Sequence, residues 1–311
     1  MRKSFGSAAA DVAVVGGGVA GLAAAREMAR RGLAVAVVES RGTGAGASNA
    51  AAGMLAPQAE ADLPDELFEL LCASRDMYPA FAEALGEESG VDVELDRTGT
   101  LYLALTEEDA EEAERRFAWQ SRAGLAVERL TAREARELEP RVSPRALAAL
   151  RFPRDWQVEN RLLVRALAAS AVGFGARLLE GVEAADVVVE AGRAVGVETS
   201  EGTLRAGAVV VAAGAWSSLL GKLSGRGARA GLPDDPRVEP VRGQVLCFRG
   251  EDSEAPFVRH VVYSPRGYLV PRRDGRLLAG STTERAGFDC RVTPEGSGQV
   301  RAHAEEIAPA V

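Results

Sequence analysis

Lysine is nearly missing from this chain: of 37 basic side chains only Lys3 and Lys222 are lysines, and neither stands in a motif. That leaves no candidate for a Schiff-base nucleophile, which needs a lysine with a depressed pKa. Histidine is as scarce, with His260 and His303 alone, and neither lies in a recognisable catalytic setting. The three cysteines, Cys72, Cys247 and Cys290, are far apart and without CxxC spacing. A zinc site or disulfide framework is therefore not expected, and free thiols buried in a reducing cytoplasm are. No apolar run reaches membrane-spanning length, and the first ten residues lack the apolar core of a signal peptide, so a cytoplasmic protein without membrane contact is predicted. Positive charge is in deficit as well. With 45 acids against 37 bases the chain carries −8 at pH 7, the wrong balance for displacing counterions from nucleic acid.

Against these absences stands one stretch rich in glycine. Asp11-Val12-Ala13-Val14-Val15 has the length and β-branched content of a strand buried on both faces. Gly16, Gly18 and Gly21 follow in GxGxxG spacing, and Leu22, Ala25, Met28 and Ala29 then recur at helical intervals until Gly32 ends the helix. A second apolar run, Leu33 to Val38, finishes on Glu39. Each part answers a need of a dinucleotide. Gly16 permits the tight turn, Gly18 lets the backbone approach a pyrophosphate, and Gly21 lets helix and strand pack closely. The helix N-terminus offers free N–H groups to the phosphates. Glu39 is placed to accept hydrogen bonds from ribose hydroxyls, and its charge would repel a 2′-phosphate, which disfavours NADP.

Downstream, Arg41 to Leu55 is almost devoid of bulky side chains, so its backbone can lie against something flat. The run Ala50-Ala51-Ala52-Gly53-Met54-Leu55-Ala56-Pro57-Gln58-Ala59-Glu60 resembles the flavin-contacting loop of the D-amino-acid oxidase-like family of FAD-dependent oxidoreductases, and specifically its glycine-oxidising branch in thiamine thiazole synthesis. The resemblance covers the chain from Asp11 onward and is carried further by Ala212 to Trp216, Arg242-Gly243-Gln244, and Tyr268 to Thr283.

The rest of the chain supports two domains. Helices are expected from about Asp65 to Leu85, from Thr106 to about Gly124, from Thr131 as a capping box, over Arg161 to Val172 behind Asn160, and from Thr293. Ala208 to Val211 reads as a buried parallel strand returning to the nucleotide-binding sheet. Gly221 to Pro236 reads as an interdomain loop. Pro240 to Phe248 and His260 to Tyr263 look like antiparallel strands, and Tyr268 to Gly280 is a hairpin turning at Asp274-Gly275.

The resemblance implies an α/β fold: a discontinuous Rossmann-like FAD-binding domain of the GR2 type with an α+β substrate domain built on a mixed or antiparallel sheet. The division expected is 1–75 and 146–224 for the FAD domain, 76–145 and 225–288 for the substrate domain, and a helix in 289–311 returning to the FAD domain. It further implies flavin contacts at Val19, Ala20, Glu39, Ser40, Ala47, Ser48, Ala52, Gly53, Met54 and Val182, with Tyr268 near the substrate carboxylate. Family members continue past the helix begun at Thr293 into a segment that supplies a substrate-binding arginine. None is present here, so a fragment of a longer protein or a degenerate relative is expected, and no catalytic residue is named. The activity implied is oxidative deamination of glycine, then of sarcosine or small D-amino acids, to imine or α-keto acid, ammonia and peroxide. Thiazole synthase is the implied protein partner, alongside self-association. The alternatives are an inactive flavin-fold remnant and an amine dehydrogenase subunit.

Overall fold

The computed structural model describes residues 9–220, 238–249 and 256–311. In chain order β1 (Ala10–Val15), α1 (Val19–Arg30) and β2 (Val35–Glu39) precede the short α2 (Ala47–Ala50), β3 (Met54–Leu55) and α3 (Pro57–Glu60), and then the long α4 (Glu66–Ser89). β4 (Thr100–Ala104), α5 (Glu107–Arg122), β5 (Glu128–Thr131), α6 (Ala132–Leu138), β6 (Ala148–Phe152), β7 (Trp156–Gln157) and α7 (Asn160–Gly173) follow. β8 (Arg177–Glu180), β9 (Ala184–Glu190), β10 (Arg193–Thr199) and β11 (Gly202–Val211) lead to a 3-10 turn at Gly214–Leu219. After these come β12 (Val245–Arg249), β13 (Val261–Ser264), β14 (Gly267–Pro271), β15 (Arg276–Gly280) and α8 (Pro294–Ile307). The interdomain loop expected at Gly221 to Pro236 lies outside the described residues. No helix among the described residues is long and apolar enough to cross a membrane.

The chain divides into two units, the first formed by Met1–Ala51, Glu83–Val93 and Asn160–Pro240, the second by Ala52–Ala82, Glu94–Glu159 and Val241–Val311. In the first, a sheet of order β8-β2-β1-β11-β10-β9 runs parallel from β8 to β11 and antiparallel beyond. Because side chains alternate along a strand, Val12 and Val14 join Val35 and Val37 under Ala25 and Ala29 of α1 and Ala171 of α7. Ala13 and Val15 join Ala36 and Val38 on the other face with Val197 and Leu204. The first two strands are thus buried on both faces, whereas Val209 to Val211 of the returning strand are only half-buried, short of the full burial expected.

The second unit carries a sheet of order β12-β15-β14-β13-β4-β6-β5, antiparallel except where β13 meets β4 in parallel. Both capping boxes form: Thr106 with Asp109 at the start of α5, and Thr131 with Glu134 at the start of α6. The fold class is the expected one, α/β with an α+β second unit.

The division of segments corrects the expectation in several places, among them 238–240, which fall in the first unit. Residues 52–75 and 146–159 belong to the second unit, because Met54 and Leu55 pair with Gln157 and Trp156, and β6 lies between β4 and β5. The end of α4 joins the first unit, where Glu88 takes Arg26 at 2.6 Å and the Ser170 hydroxyl at 2.5 Å. The final helix does not return to the nucleotide-binding sheet: Val300, Ala304 and Ile307 of α8 are buried with Leu269 and Leu277 of the second sheet. The thiols are free but not buried. Cys72 is half-buried, and Cys247, on the sheet's last strand, and Cys290 are exposed.

Candidate cofactor site

β1 and β2 lie side by side in parallel register, Val12 to Val15 against Val35 to Val38, so the glycine turn and Glu39 emerge at the same edge of the sheet. In open α/β sheets the crevice at the carboxyl ends of the strands is where ligands bind. Here that edge opens into a cleft of about 490 Å³, walled by Gly16, Gly18, Val19 and Ala20 on one side. Glu39, Ser40, Arg41, the 44–48 loop, Glu183, Ala184 and Ala212 to Trp216 also line it.

Gly16 has φ +109°, a left-handed conformation, and a Cβ on it would collide with the carbonyl of Ala212. Gly21 faces inward, not into the cleft, and a Cβ there would overlap the Gly16 carbonyl. Its part is to let α1 approach β1. Gly18 is the N-cap of α1 and makes no side-chain cap bond, and the first turn carries no acid. The end of the helix therefore presents donors and a partial positive charge. Ser48 reaches that end, its hydroxyl accepting from the Val19 N–H at 3.0 Å. Asn160 holds the loop from behind, donating to the Ser48 carbonyl at 2.8 Å.

Glu39 is oriented by the backbone on both oxygens. Oε2 accepts from the Gly17 N–H at 2.8 Å and Oε1 from the Arg41 N–H at 2.9 Å. A carboxylate has about four lone-pair sites, so both bonds leave room for a ribose diol. Glycine-shaped access, the helix end's positive charge with its N–H groups beyond Val19, and an oriented acid together fit the ADP half of FAD.

Val182 has its side chain in the core, and its N–H donates to the Glu39 carbonyl at 3.0 Å. Its successors Glu183 and Ala184 line the cleft instead. The remaining sequence-derived residues, Ala52, Gly53, Met54 and Tyr268, lie in the second unit. The buried Arg272 donates to the carbonyl of Ala52 at 2.7 Å and of Val158 at 2.9 Å, and the Val158 N–H donates to the Gly53 carbonyl at 2.9 Å. Met54 and Tyr268 pack against one apolar cluster, with Ala52 inside it. Tyr268 lies over Gly280, its partner in the β14–β15 register, where a Cβ would overlap the phenol. Burial pushes this phenol up, against the opposite pull of a hydrogen bond with Ser281.

Arg41, Glu183 and Trp216 also line the cleft, although the sequence reading assigned none of them a cofactor contact. Arg41 follows Glu39 by two positions and Trp216 ends the run after β11, but only the folded cleft brings them together.

Comparison with known proteins follows the same lines. A family model described as FAD dependent oxidoreductase matches residues 11–311. Glycine oxidase of Geobacillus kaustophilus is 40% identical over 96% of this chain and 77% of its own length. The bifunctional protein ThiO/ThiG of Synechocystis is 33% identical over 97% of this chain and 43% of its own length. The crystal structure of glycine oxidase from Geobacillus kaustophilus superposes with a TM-score of 0.86 at 36% identity, covering 96% of this chain and 78% of that one.

Proposed function

Because this chain belongs to the family of FAD-dependent oxidoreductases, we propose that it is an amino-acid oxidase that uses FAD to oxidise glycine, with sarcosine and small D-amino acids as lesser substrates. The observation that carries the choice of glycine is the 40% identity to a glycine oxidase over 96% of the chain. Bound FAD supplies a two-electron acceptor for the substrate Cα–H bond and a route for those electrons to oxygen. The balance is glycine, oxygen and water to glyoxylate, ammonia and peroxide, with the glycine imine available for thiazole formation before hydrolysis.

The chain's own residues bind and orient. The N–H groups at the start of α1 hold the diphosphate and Glu39 holds the ribose, its charge rejecting a 2′-phosphate. The backbone at Ala52, Gly53 and Met54, fixed by Arg272, carries the flavin ring contact. Tyr268, kept protonated by burial, donates to the substrate carboxylate. No histidine is required as a base, since a substrate with a neutral amine needs correct orientation above all.

Thiazole synthase is the partner we propose, supported by the match to a bifunctional ThiO/ThiG protein, and the cytoplasm is the place of action we propose with it. The test is direct. The purified protein is expected to carry a flavin absorption band and to release peroxide when glycine is added in air. Absence of either overturns the proposal, and reoxidation by an artificial acceptor but not by oxygen would make it a dehydrogenase.

A further inference from the structure

The short α3 makes a single turn, which fixes several backbone dihedrals for one hydrogen bond and cannot hold itself in water. Its shape is imposed by a buried polar cluster drawn from α4, α5 and the turn before β7. Asp155, fully buried, accepts at Oδ2 from the Ala59 N–H at 2.8 Å and at Oδ1 from Nη1 of Arg75 at 3.1 Å. The same Nη1 donates to Oε1 of Gln58 at 3.0 Å. Gln58 in turn donates to Oε1 of Gln120 at 2.9 Å, and its carbonyl accepts from Nε2 of Gln120 at 2.8 Å. Arg116 donates to that carbonyl and to the one of Ala61, its charge answered by Asp62 and Glu112.

This turn ends the segment that the proposed function sets against the flavin ring. Met54 pairs with Gln157 and Leu55 with Trp156, and the Gly53 carbonyl accepts from the Val158 N–H. Residues 155–158 thus run beside 53–59, with Arg272 tying the Ala52 end and Asp155 the Ala59 end. Ala56 and Ala59 share a cluster with Met54, which also packs on the cluster that Tyr268 touches. A shift at Ala59 is passed on to the groups assigned to cofactor and substrate.

The hold of Asp155 depends on its charge. Burial pushes its carboxyl up to about 7, against the Ala59 N–H and Arg75, which favour the anion. Ionised, it answers Arg75 from inside the cluster. Neutral, it leaves that guanidinium to the exposed Asp76 at 2.9 Å, an acid that Arg154 also takes at 2.8 Å, and the arginine is drawn outward from Gln58. Cys72, also on α4 and within electrostatic reach, has its thiol pushed up by burial and stays neutral around pH 7.

We propose that Asp155, in its ionised form, is a positioning residue of the reaction: through Ala59, Arg75 and Gln58 it sets the 52–60 segment against flavin and substrate. The inference rests on reading that segment as the flavin contact of an FAD-dependent oxidase.

The test measures kcat/KM for glycine, per bound flavin, in wild type and Asp155→Asn holoenzymes from about pH 5.5 to about pH 8.5. The amide still accepts from Ala59 but cannot answer Arg75. The ratio of wild type to variant cancels the titration of glycine and of the flavin. It should be about ten at the alkaline end, the scale of a displaced positioning contact, and about one at the acid end, where the wild-type carboxyl is neutral too. Arg75→Gln removes the cation that opposes burial, so its own profile should step at higher pH than the wild type's. A ratio that is the same at every pH makes Asp155 structural only, and a ratio of one throughout removes it from the reaction. Either result overturns the inference and leaves the oxidase reading standing. Should Asp155→Asn fail to fold, the Arg75→Gln profile decides, and a step that does not move overturns the inference. A wild type without flavin, or without peroxide from glycine, overturns the parent reading along with this one.

Discussion

The N–H of Gly17 donates to Oε2 of Glu39 over 2.8 Å, tying the turn after the first strand to the acid that ends the second. Acceptor and donor are 22 residues apart in sequence, yet adjacent because β1 and β2 lie in parallel register. The acid is thereby aimed before any ligand arrives.

Glu39→Gln replaces an acceptor-only carboxylate with an amide whose N–H₂ cannot accept from Gly17 or from ribose. A hydrogen bond to a charged group contributes about 1.5–3 kcal/mol, so the FAD dissociation constant should rise roughly 10- to 100-fold. Flavin retained after desalting measures it. Retention equal to wild type would remove Glu39 from the site.

Gly21→Ala forces a methyl into the Gly16 carbonyl. Overpacking of this kind costs about 1–3 kcal/mol, so the urea midpoint should fall and flavin content with it. Gly298→Ala is the control: it sits inside α8 with nothing within 4 Å of the added atom. There the change should stabilise by about 0.5–1 kcal/mol, since alanine is the better helix former. Equal effects at the two sites would contradict the packing seen at Gly21.

Gly280→Ala should displace the Tyr268 ring lying over it. The expected signature is a KM for glycine raised about tenfold, as Tyr268→Phe would give on losing one hydrogen bond to a carboxylate, with flavin content unchanged. Unaltered KM in both variants would show that this phenol does not meet substrate.

All four tyrosines, Tyr78, Tyr102, Tyr263 and Tyr268, have phenols pushed above the ordinary value of 10, burial being the first cause in each. A raised folded-state pKa favours the folded protein while the unfolded phenol is still protonated, and that contribution is lost as pH climbs past 10 through the folded value. Absorbance at 295 nm should therefore show little tyrosinate in the native protein at pH 10 and about half ionisation in urea. A native midpoint at 10 or below would disprove the burial.

Legibility followed sequence distance. The glycine turn and its acid lie within one βαβ unit, and the capping boxes at Thr106 and Thr131 and the hairpin at Asp274-Gly275 are each settled by a few neighbours, so all were readable. The assignment of 52–75 was not, because it depends on Met54 meeting Gln157 across about a hundred residues. Nor was the docking of α8, whose apolar stripe specifies burial without naming the sheet that provides it. Cys247 illustrates the same limit. As a free thiol without CxxC spacing it was expected to be buried, but its strand is last in the sheet, and the thiol is exposed.

By itself the sequence determined the glycine turn after the first strand, the acid beside it and the class of fold, since glycine conformation, strand alternation and helix ends are local properties of the chain. Tertiary structure alone decided which segments share a sheet, how Glu39 is held, and that Arg41 and Trp216 face one another in the cleft. Those depend on strand pairings and core contacts between residues remote in sequence, and no short stretch of the chain contains the information to fix them.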